Sequence, residues 1–419
     1  YHLTDLLIFV ANGALLCAFA RRLFGPDAWL AGLFAALVFV LHPIQLETLP
    51  VPPRRADSLC LSFTLACLLS LGPAGAPRAA LRRALGAAFA LLAAGSKETG
   101  ALAAPLAFGL AFLRAPLGAA AERARGALRD SGPPLASVAL YAAARSAVLG
   151  GWGGHRNASL ASAPDPVALV KPYLERLFAP QAYEPGGPWI AALALAALLL
   201  AAYLAWRPPR RAEARRLRSG LAFALLWFAC LIAIHSLADR ASAWYTTLFV
   251  APYAIFLGVL TQCGVALLRE GRAAPAALAL VFSLGLAGSH LRYSSLLVHY
   301  PEWPRASAAA DAFLDRFERR VRRAELGSTL RFRRFPTGVE RSPTPPGIRS
   351  AVVLSDYSLQ AWADLVMPDH PVRVHMLPRG ASPPAPDAGV VTVILHPGVA
   401  ALEGAAARPP RDASPQRAR

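Results

Sequence analysis

The stretch His42-Pro43-Ile44-Gln45-Leu46-Glu47, followed eight residues later by Arg55-Ala56-Asp57, sets an imidazole, two carboxylates and a guanidinium between apolar segments. Ionisable groups at a membrane boundary are expensive to keep, so they mark ligand paths unless they merely end helices. Arg55 suits a phosphate, because its planar fork offers paired N–H donors. Glu47 and Asp57 suit a proton acceptor or a brace for that guanidinium, and His42 suits the positioning of a hydroxyl. A loop of interfacial charges that ends two helices accounts for the same residues, and spacing alone does not separate the two readings. A second group, Ser96-Lys97-Glu98-Thr99, reads either as a polar hairpin turn or as a cation reaching an anionic ligand, with Glu98 beside it. A third, Asp239-Arg240 with Trp244-Tyr245, offers a phosphate donor in Arg240 and a headgroup-level aromatic in Tyr245. An aromatic belt with a capping charge explains that group as well. Arg145 falls inside an apolar segment, where it lines the same cavity or snorkels outward.

These residues need apolar elements to hold them, and the composition supplies such elements. The 419 residues are 55% hydrophobic and only 16% charged, with a mean hydropathy of +0.41. Soluble domains sit near a quarter charged, so the expected fold is an α-helical polytopic membrane protein. About ten apolar segments are legible, at 5–20, 28–42, 58–74, 84–96, 100–113, 133–149, 189–206, 219–237, 246–268 and 275–297, and the pair at 84–113 reads as broken or re-entrant.

Charge then orients the chain. Connections holding Arg21–Arg22, Arg78–Arg83, Arg114–Arg129, Arg207–Arg218 and Arg269–Arg272 carry 17 arginines, against seven basic residues in the alternate connections. The positive-inside rule places the first set in the cytoplasm and everything after residue 297 outside. The localisation that follows is a multi-pass protein of a bacterial inner membrane with a periplasmic C-terminal domain.

The expected domains are a membrane domain over 1–297, a small α/β domain over 298–403 and a disordered tail over 404–419. In the α/β part, Phe313, Phe317 and Val321 repeat at helical spacing. Strand-like runs follow at 330–335, 351–355, 372–377 and 389–395, with a helix near 358–366. In the long outer connection 150–188, residues 166–178 read as a helix lying along the membrane surface.

Other chemistries are disfavoured. The net charge of +18 comes with arginines between apolar segments, not with a basic stripe and interleaved aromatics, so no nucleic acid is expected. Cys17, Cys60, Cys67, Cys230 and Cys263 fall in apolar segments and read as small buried hydrophobes. The cofactor stays open: a divalent metal is compatible with phosphate chemistry, but no motif for one is present.

Tyr1-His2-Leu3-Thr4, the His42-Pro43 to Glu47 to Arg55-Ala56-Asp57 stretch, and Ser96-Lys97-Glu98 together resemble membrane glycosyltransferases of the GT-C class. The likeness is to glycosyltransferase family 39-like proteins and to transmembrane, tetratricopeptide-repeat O-mannosyltransferases. Asp239-Arg240 with Trp244-Tyr245 and Pro252 is similar to a later element of that family. Gln45, Arg54 and Asp5 depart from the family pattern, and no tetratricopeptide repeats follow.

The resemblance implies transfer of a sugar, in mannosyltransferase-like fashion, from a polyprenyl-phosphate donor. The acceptor would be a protein or glycan on the outer face. It also implies a helix and an acidic loop ahead of Tyr1 that carry the catalytic base, with Glu47 or Asp57 as the carboxylates available in its place. His42, Arg55, Lys97, Glu98, Arg240 and Tyr245 would bind substrate, and membrane lipids would surround the whole. The rival expectation is a non-enzymatic lipid carrier or assembly scaffold.

Overall fold

The structure of the protein is a computed structural model that describes residues 2–48, 54–72, 77–115, 118–149, 195–203, 211–236 and 246–292. It also describes 173–174, 177–178, 314–315, 317–319, 321–323, 329–333, 339–340, 349–351, 356–369, 371–376 and 390–394. The chain divides into two units, Tyr1–Val298 and His299–Arg419.

The first unit is helical. α1 (His2–Phe24) has Asp5 in its first turn and Arg21 and Arg22 in its last, the arrangement that complements a helix dipole. α2 (Trp29–Leu41) contains no charge and stops at His42, whose backbone is extended (φ −66°, ψ 122°). The physical cause is Pro43, which disfavours the helical conformation in the residue before it. A 3-10 turn, Pro43–Glu47, follows. α3 (Arg55–Ser70) leads to α4 (Ala79–Ser96), which ends at an extended Lys97 (φ −159°, ψ 150°).

A second 3-10 segment, Glu98–Leu102, then joins α5 (Ala103–Arg114). It folds back so tightly that a β-carbon at Gly100 would overlap the Ala93 carbonyl of α4. α6 (Ala120–Leu149) carries Pro133 and Pro134 within one continuous helix. α7 (Arg211–Ser236), α8 (Thr246–Arg269) and α9 (Ala273–Arg292) complete the unit.

α8 is the central helix, with 89% of its apolar window buried. It packs against α7, α9 and α2. Small residues permit the close approach: a β-carbon at Gly258 would stand 3.2 Å from the Ala31 carbonyl and 3.3 Å from the Ala35 side chain. Large apolar side chains point the other way on the outer helices, as Leu3, Leu6, Leu7 and Val10 do on α1 and Leu30, Leu33, Leu37 and Leu41 on α2. Such rows of exposed leucine would be an aggregation surface in water and are ordinary against lipid.

Among the described residues, five helices are long and apolar enough to cross a membrane: Leu3–Phe24, Ala79–Ser96, Glu213–His235, Thr246–Arg269 and Ala273–His290. They match five of the expected segments and are compatible with a multi-pass membrane protein. α2, α3 and α5 are shorter than this limit, with 13, 16 and 12 residues. The arginine-rich connections also differ from expectation. Arg123, Arg125 and Arg129 lie on α6, and Arg211, Arg215, Arg216 and Arg218 on α7, so much of what read as loop is helical extension.

In the second unit, β4 (Arg373–Met376), β1 (Thr329–Arg333) and β5 (Val390–Ile394) form a parallel sheet in that order. β2 (Val339–Glu340) and β3 (Arg349–Ala351) pair antiparallel. α10 (Asp356–Val366) packs on β4. The Gln360 side chain of α10 accepts from the Val374 amide and donates to the Val372 carbonyl, both at 2.8 Å. Phe317 and Val321 are buried with Leu359, Ala363, Met367, Val372 and Val374, and Phe317 meets Trp362 at a ring distance of 5.6 Å. Phe313 and the tail 404–419 lie outside the described residues.

Candidate functional site

The helices of the first unit alternate in direction, so every other terminus meets at one end. At this end lie the start of α1, the end of α2, the start of α3, the turn between α4 and α5, and the end of α6. Among the described residues, three ion pairs tie these elements together.

Arg55 of α3 donates from Nε to Asp5 Oδ1 of α1 at 2.5 Å and from Nη2 to Oδ2 at 3.3 Å. This is the fork geometry that a guanidinium makes with a carboxylate. Lys97, in the turn after α4, donates from Nζ to Asp57 of α3. Arg145 of α6 donates from Nη2 to Glu98 Oε1 at 2.7 Å. The first two pairs are protected, with side-chain exposure of 7% for Asp5 and 3% for Asp57, whereas Glu98 is 58% exposed.

The spacing argument foresaw a carboxylate bracing Arg55 but assigned the task to Glu47 or Asp57. The structure brings Asp5 to Arg55, and Asp57 holds Lys97; the Glu47 side chain lies outside the described residues. Asp5 lies 50 positions from its partner, and the side chains facing each other depend on how α1 packs on α3. No local signal in the sequence reports that packing. The same helix pair buries Asn12, which donates to the Ser58 carbonyl at 2.9 Å and accepts from Ser62 at 2.6 Å. Cys60 and Thr99 lie 3.6 Å apart beneath the Asp57–Lys97 pair, linking α3 to the turn.

His42 stands where α2 gives way to the 3-10 turn, and protein groups hold its ring. Its Nδ1 accepts from the Ile44 amide at 3.3 Å and its Nε2 lies 3.0 Å from the Leu177 carbonyl, so Nε2 carries the proton and both nitrogens are engaged. The ring lies 4.4 Å from that of His290 of α9, tilted by 50°, and the His290 Nε2 lies 3.2 Å from the Tyr253 hydroxyl of α8. Burial holds the His42 imidazole down at about 4, against the Leu177 carbonyl, which pulls the other way. A neutral, doubly bonded imidazole fixes the entry to the 3-10 turn. Neither His290 nor Tyr253 carried a sequence signal, because each sits alone in an apolar helix.

Leu177 belongs to the stretch expected along the membrane surface. Tyr173 and Leu177 are instead buried in the helical core, 1% and 0% exposed. Tyr173 stacks on Phe249 at 4.6 Å and meets His235 at 5.6 Å.

Arg240 and Tyr245 lie outside the described residues. Glu47 ends the 3-10 turn, and its side chain is also outside them. Among the described residues no group of three or more His, Cys, Asp or Glu side chains could hold a metal ion, and the cysteines are free. Cys60, Cys67 and Cys263 are buried, as small hydrophobes would be.

Arg55 and Lys97 thus stand at one end of the bundle, each clamped by a carboxylate from a neighbouring helix. Chemically, this is a braced pair of cations that can present N–H donors to an oxyanion. Comparison with protein-family models, curated proteins and solved structures finds no match for this chain.

Proposed function

We propose that the chain is an integral-membrane glycosyltransferase of GT-C type, taking a sugar from a polyprenyl-phosphate donor and passing it to a protein or glycan acceptor. One observation carries the reading: Arg55 and Lys97 come to the same end of an apolar helical bundle, and the carboxylates that brace them come from 50 and 40 positions away. When the bond between sugar and lipid phosphate breaks, negative charge develops on the phosphate oxygens. Cations already fixed in place stabilise that charge without reorganising.

In this reading Arg55 and Lys97 receive the leaving phosphate, and Asp5 and Asp57 position them. His42 holds the 3-10 turn that carries Glu47, the carboxylate proposed as base. Glu98 with Arg145 forms the exposed rim, and Arg240 and Tyr245 complete the donor site. The end bearing the ion pairs faces outward and the arginine-rich end faces the cytoplasm of a bacterial inner membrane. α2, α3, α5 and α6 then cross as short or interrupted helices in a bundle of about ten spans, and the second unit is a periplasmic α/β domain.

The test is transfer of radiolabelled mannose from polyprenyl-phosphate-mannose to an added peptide or glycan acceptor, with release of polyprenyl phosphate, by the purified chain in lipid vesicles. Arg55→Lys and Lys97→Met should each lower the rate by about a hundredfold, the scale of losing one oxyanion donor. No release by the unaltered chain, or equal release by both variants, overturns the enzymatic reading. The same braced cations would also suit a second reading, a non-enzymatic carrier of polyprenyl phosphate, which predicts saturable lipid binding without release of sugar.

A further inference from the structure

The other end of the helical unit holds a cluster that the proposed reaction does not use. Arg22 lies in the last turn of α1, Arg82 in the first turn of α4, and Arg114 ends α5. Gly86, one turn after Arg82, would carry a β-carbon 3.1 Å from Ser70 Oγ, beside the Leu69 carbonyl that Arg22 reaches, and Arg22 meets like charge from both Arg82 and Arg114. Arg114 Nη2 donates to the Arg22 carbonyl at 3.5 Å, and Arg22 Nη1 donates to the Leu69 carbonyl in the last turn of α3.

Among the described residues, no carboxylate lies within the 4.0 Å of an ion pair from any of the three. The connections 71–78 and 115–119 contain no acidic residue in the sequence, and Asp27, in the connection after α1, makes no ion pair with any of the three. The Arg82 guanidinium makes no hydrogen bond to any described residue. α4 also begins here, with Arg78 as a cap that supplies no side-chain acceptor, so its first amide groups add further positive charge.

Like charges are gathered at a cost unless something offsets them. The carbonyls at the ends of α1 and α3 offset part of the charge on Arg114 and Arg22, since a helix C-terminus carries roughly half a negative charge. Nothing described offsets Arg82. A half-buried trio of guanidiniums, with donors left over and no carboxylate paired with it, matches a tetrahedral oxyanion in both charge and hydrogen-bond sense.

We propose that Arg22, Arg82 and Arg114 form a binding site for a phosphate group, presented either by an anionic phospholipid headgroup or as free phosphate. The site lies at the opposite end from Arg55 and Lys97 and does not depend on the glycosyltransferase reading. Three arginines from three helices would be drawn together by one ligand, which would lock the ends of α1, α4 and α5.

The test uses the full chain purified in dodecyl maltoside, which has no phosphate. In one arm phosphatidylglycerol is titrated into the micelles. In the other inorganic phosphate is titrated, with chloride at equal ionic strength as the reference. A saturable rise in melting temperature is expected in at least one arm: a response to phosphatidylglycerol alone identifies a headgroup, and a response to inorganic phosphate identifies the free ion. Arg82→Gln should weaken half-saturation by about tenfold, the effect of losing one charged hydrogen-bond donor. Arg269→Gln, at the same end but outside the trio, should leave half-saturation unchanged. If Arg82→Gln yields no folded protein, Arg82→Lys carries the same comparison, because it keeps the charge and loses the paired donors. No saturable response in either arm, or a response that the Arg82 variant leaves unaltered, overturns the proposal.

Discussion

The two ends of the helical unit hold positive charge by different means. At one end Arg55, Lys97 and Arg145 each face a carboxylate from another element. At the other, Arg22, Arg114, Arg123 and Arg215 donate to backbone carbonyls at Leu69, Arg22, Phe112 and Ala115, close to the ends of α3, α1 and α5. A carboxylate neutralises a full charge and fixes the cation in direction. A helix C-terminus neutralises about half and leaves the rest of the guanidinium to other partners. The first arrangement makes a closed, pre-set constellation, and the second makes a surface with positive charge to spare.

This difference is open to direct attack. The largest effect should come from the most buried pair. Asp57→Asn leaves the Lys97 ammonium, 19% exposed, without its carboxylate and should destabilise the unit by about 3 kcal/mol in reversible unfolding in mixed micelles. Adding Lys97→Met to it should recover most of the loss, since the orphaned charge is then gone. A double variant no better than the single one would show that the pair does not act as a unit.

Asp5→Asn should cost about 2 kcal/mol, less than Asp57→Asn because Arg55 is 30% exposed and water can take over part of its partner's duty. Arg55→Lys should lose nearly as much, because an ammonium cannot make the paired contact to both carboxylate oxygens. Equal stability of Arg55→Lys and the unaltered chain would break the claim of directional bracing.

The arginine end should respond more weakly. Arg123 donates to the Phe112 carbonyl at 3.0 Å and stands over the Phe112 ring at 4.3 Å. Arg123→Gln removes both contacts, and about 1 kcal/mol is expected. A loss as large as that of Asp57→Asn would erase the distinction between the ends.

His42 sharpens the comparison through pH. Its folded value, about 4, lies below the ordinary histidine value of 6.5, so the unfolded chain takes up the proton first. The stability due to the neutral imidazole is complete above pH 6.5 and is lost as pH falls from there toward 4. One unit below 6.5 the loss should be about 1 kcal/mol, and His42→Gln should flatten this part of the profile.

The smallest effect belongs to Glu98→Gln. The carboxylate is 58% exposed, and an exposed pair is worth about 0.5 kcal/mol or less. Added salt should remove even that difference.

Much of this architecture was legible in the residues. The apolar runs mark the helices of the first unit, because burial in lipid or in a helical core demands uninterrupted apolar surface. Pro43 dictates where α2 stops. The arginine asymmetry separates the two ends, since charges that cannot enter hydrocarbon collect at helix termini. In the second unit, Phe317 and Val321 fall on the buried face that their spacing of four predicts, and β1, β4 and β5 lie close to three of the strand-like runs. Arg55, Asp57, Lys97 and Glu98 were legible as candidates because an ionisable residue beside an apolar helix is conspicuous.

Their partners were not legible. That Asp5 faces Arg55, that Asp57 faces Lys97 and not Arg55, and that Tyr173 and Leu177 turn inward were decided by the tertiary structure. So were the meeting of His42 with His290 and the gathering of Arg22, Arg82 and Arg114. Periodicity along a chain reports which face of a helix is apolar, and this is a property of residues three and four apart. The contact between side chains 40 or 50 positions apart is set by which helices become neighbours and at what height they pack. Small residues such as Ala31, Ala35 and Gly258 settle that only once the helices have met.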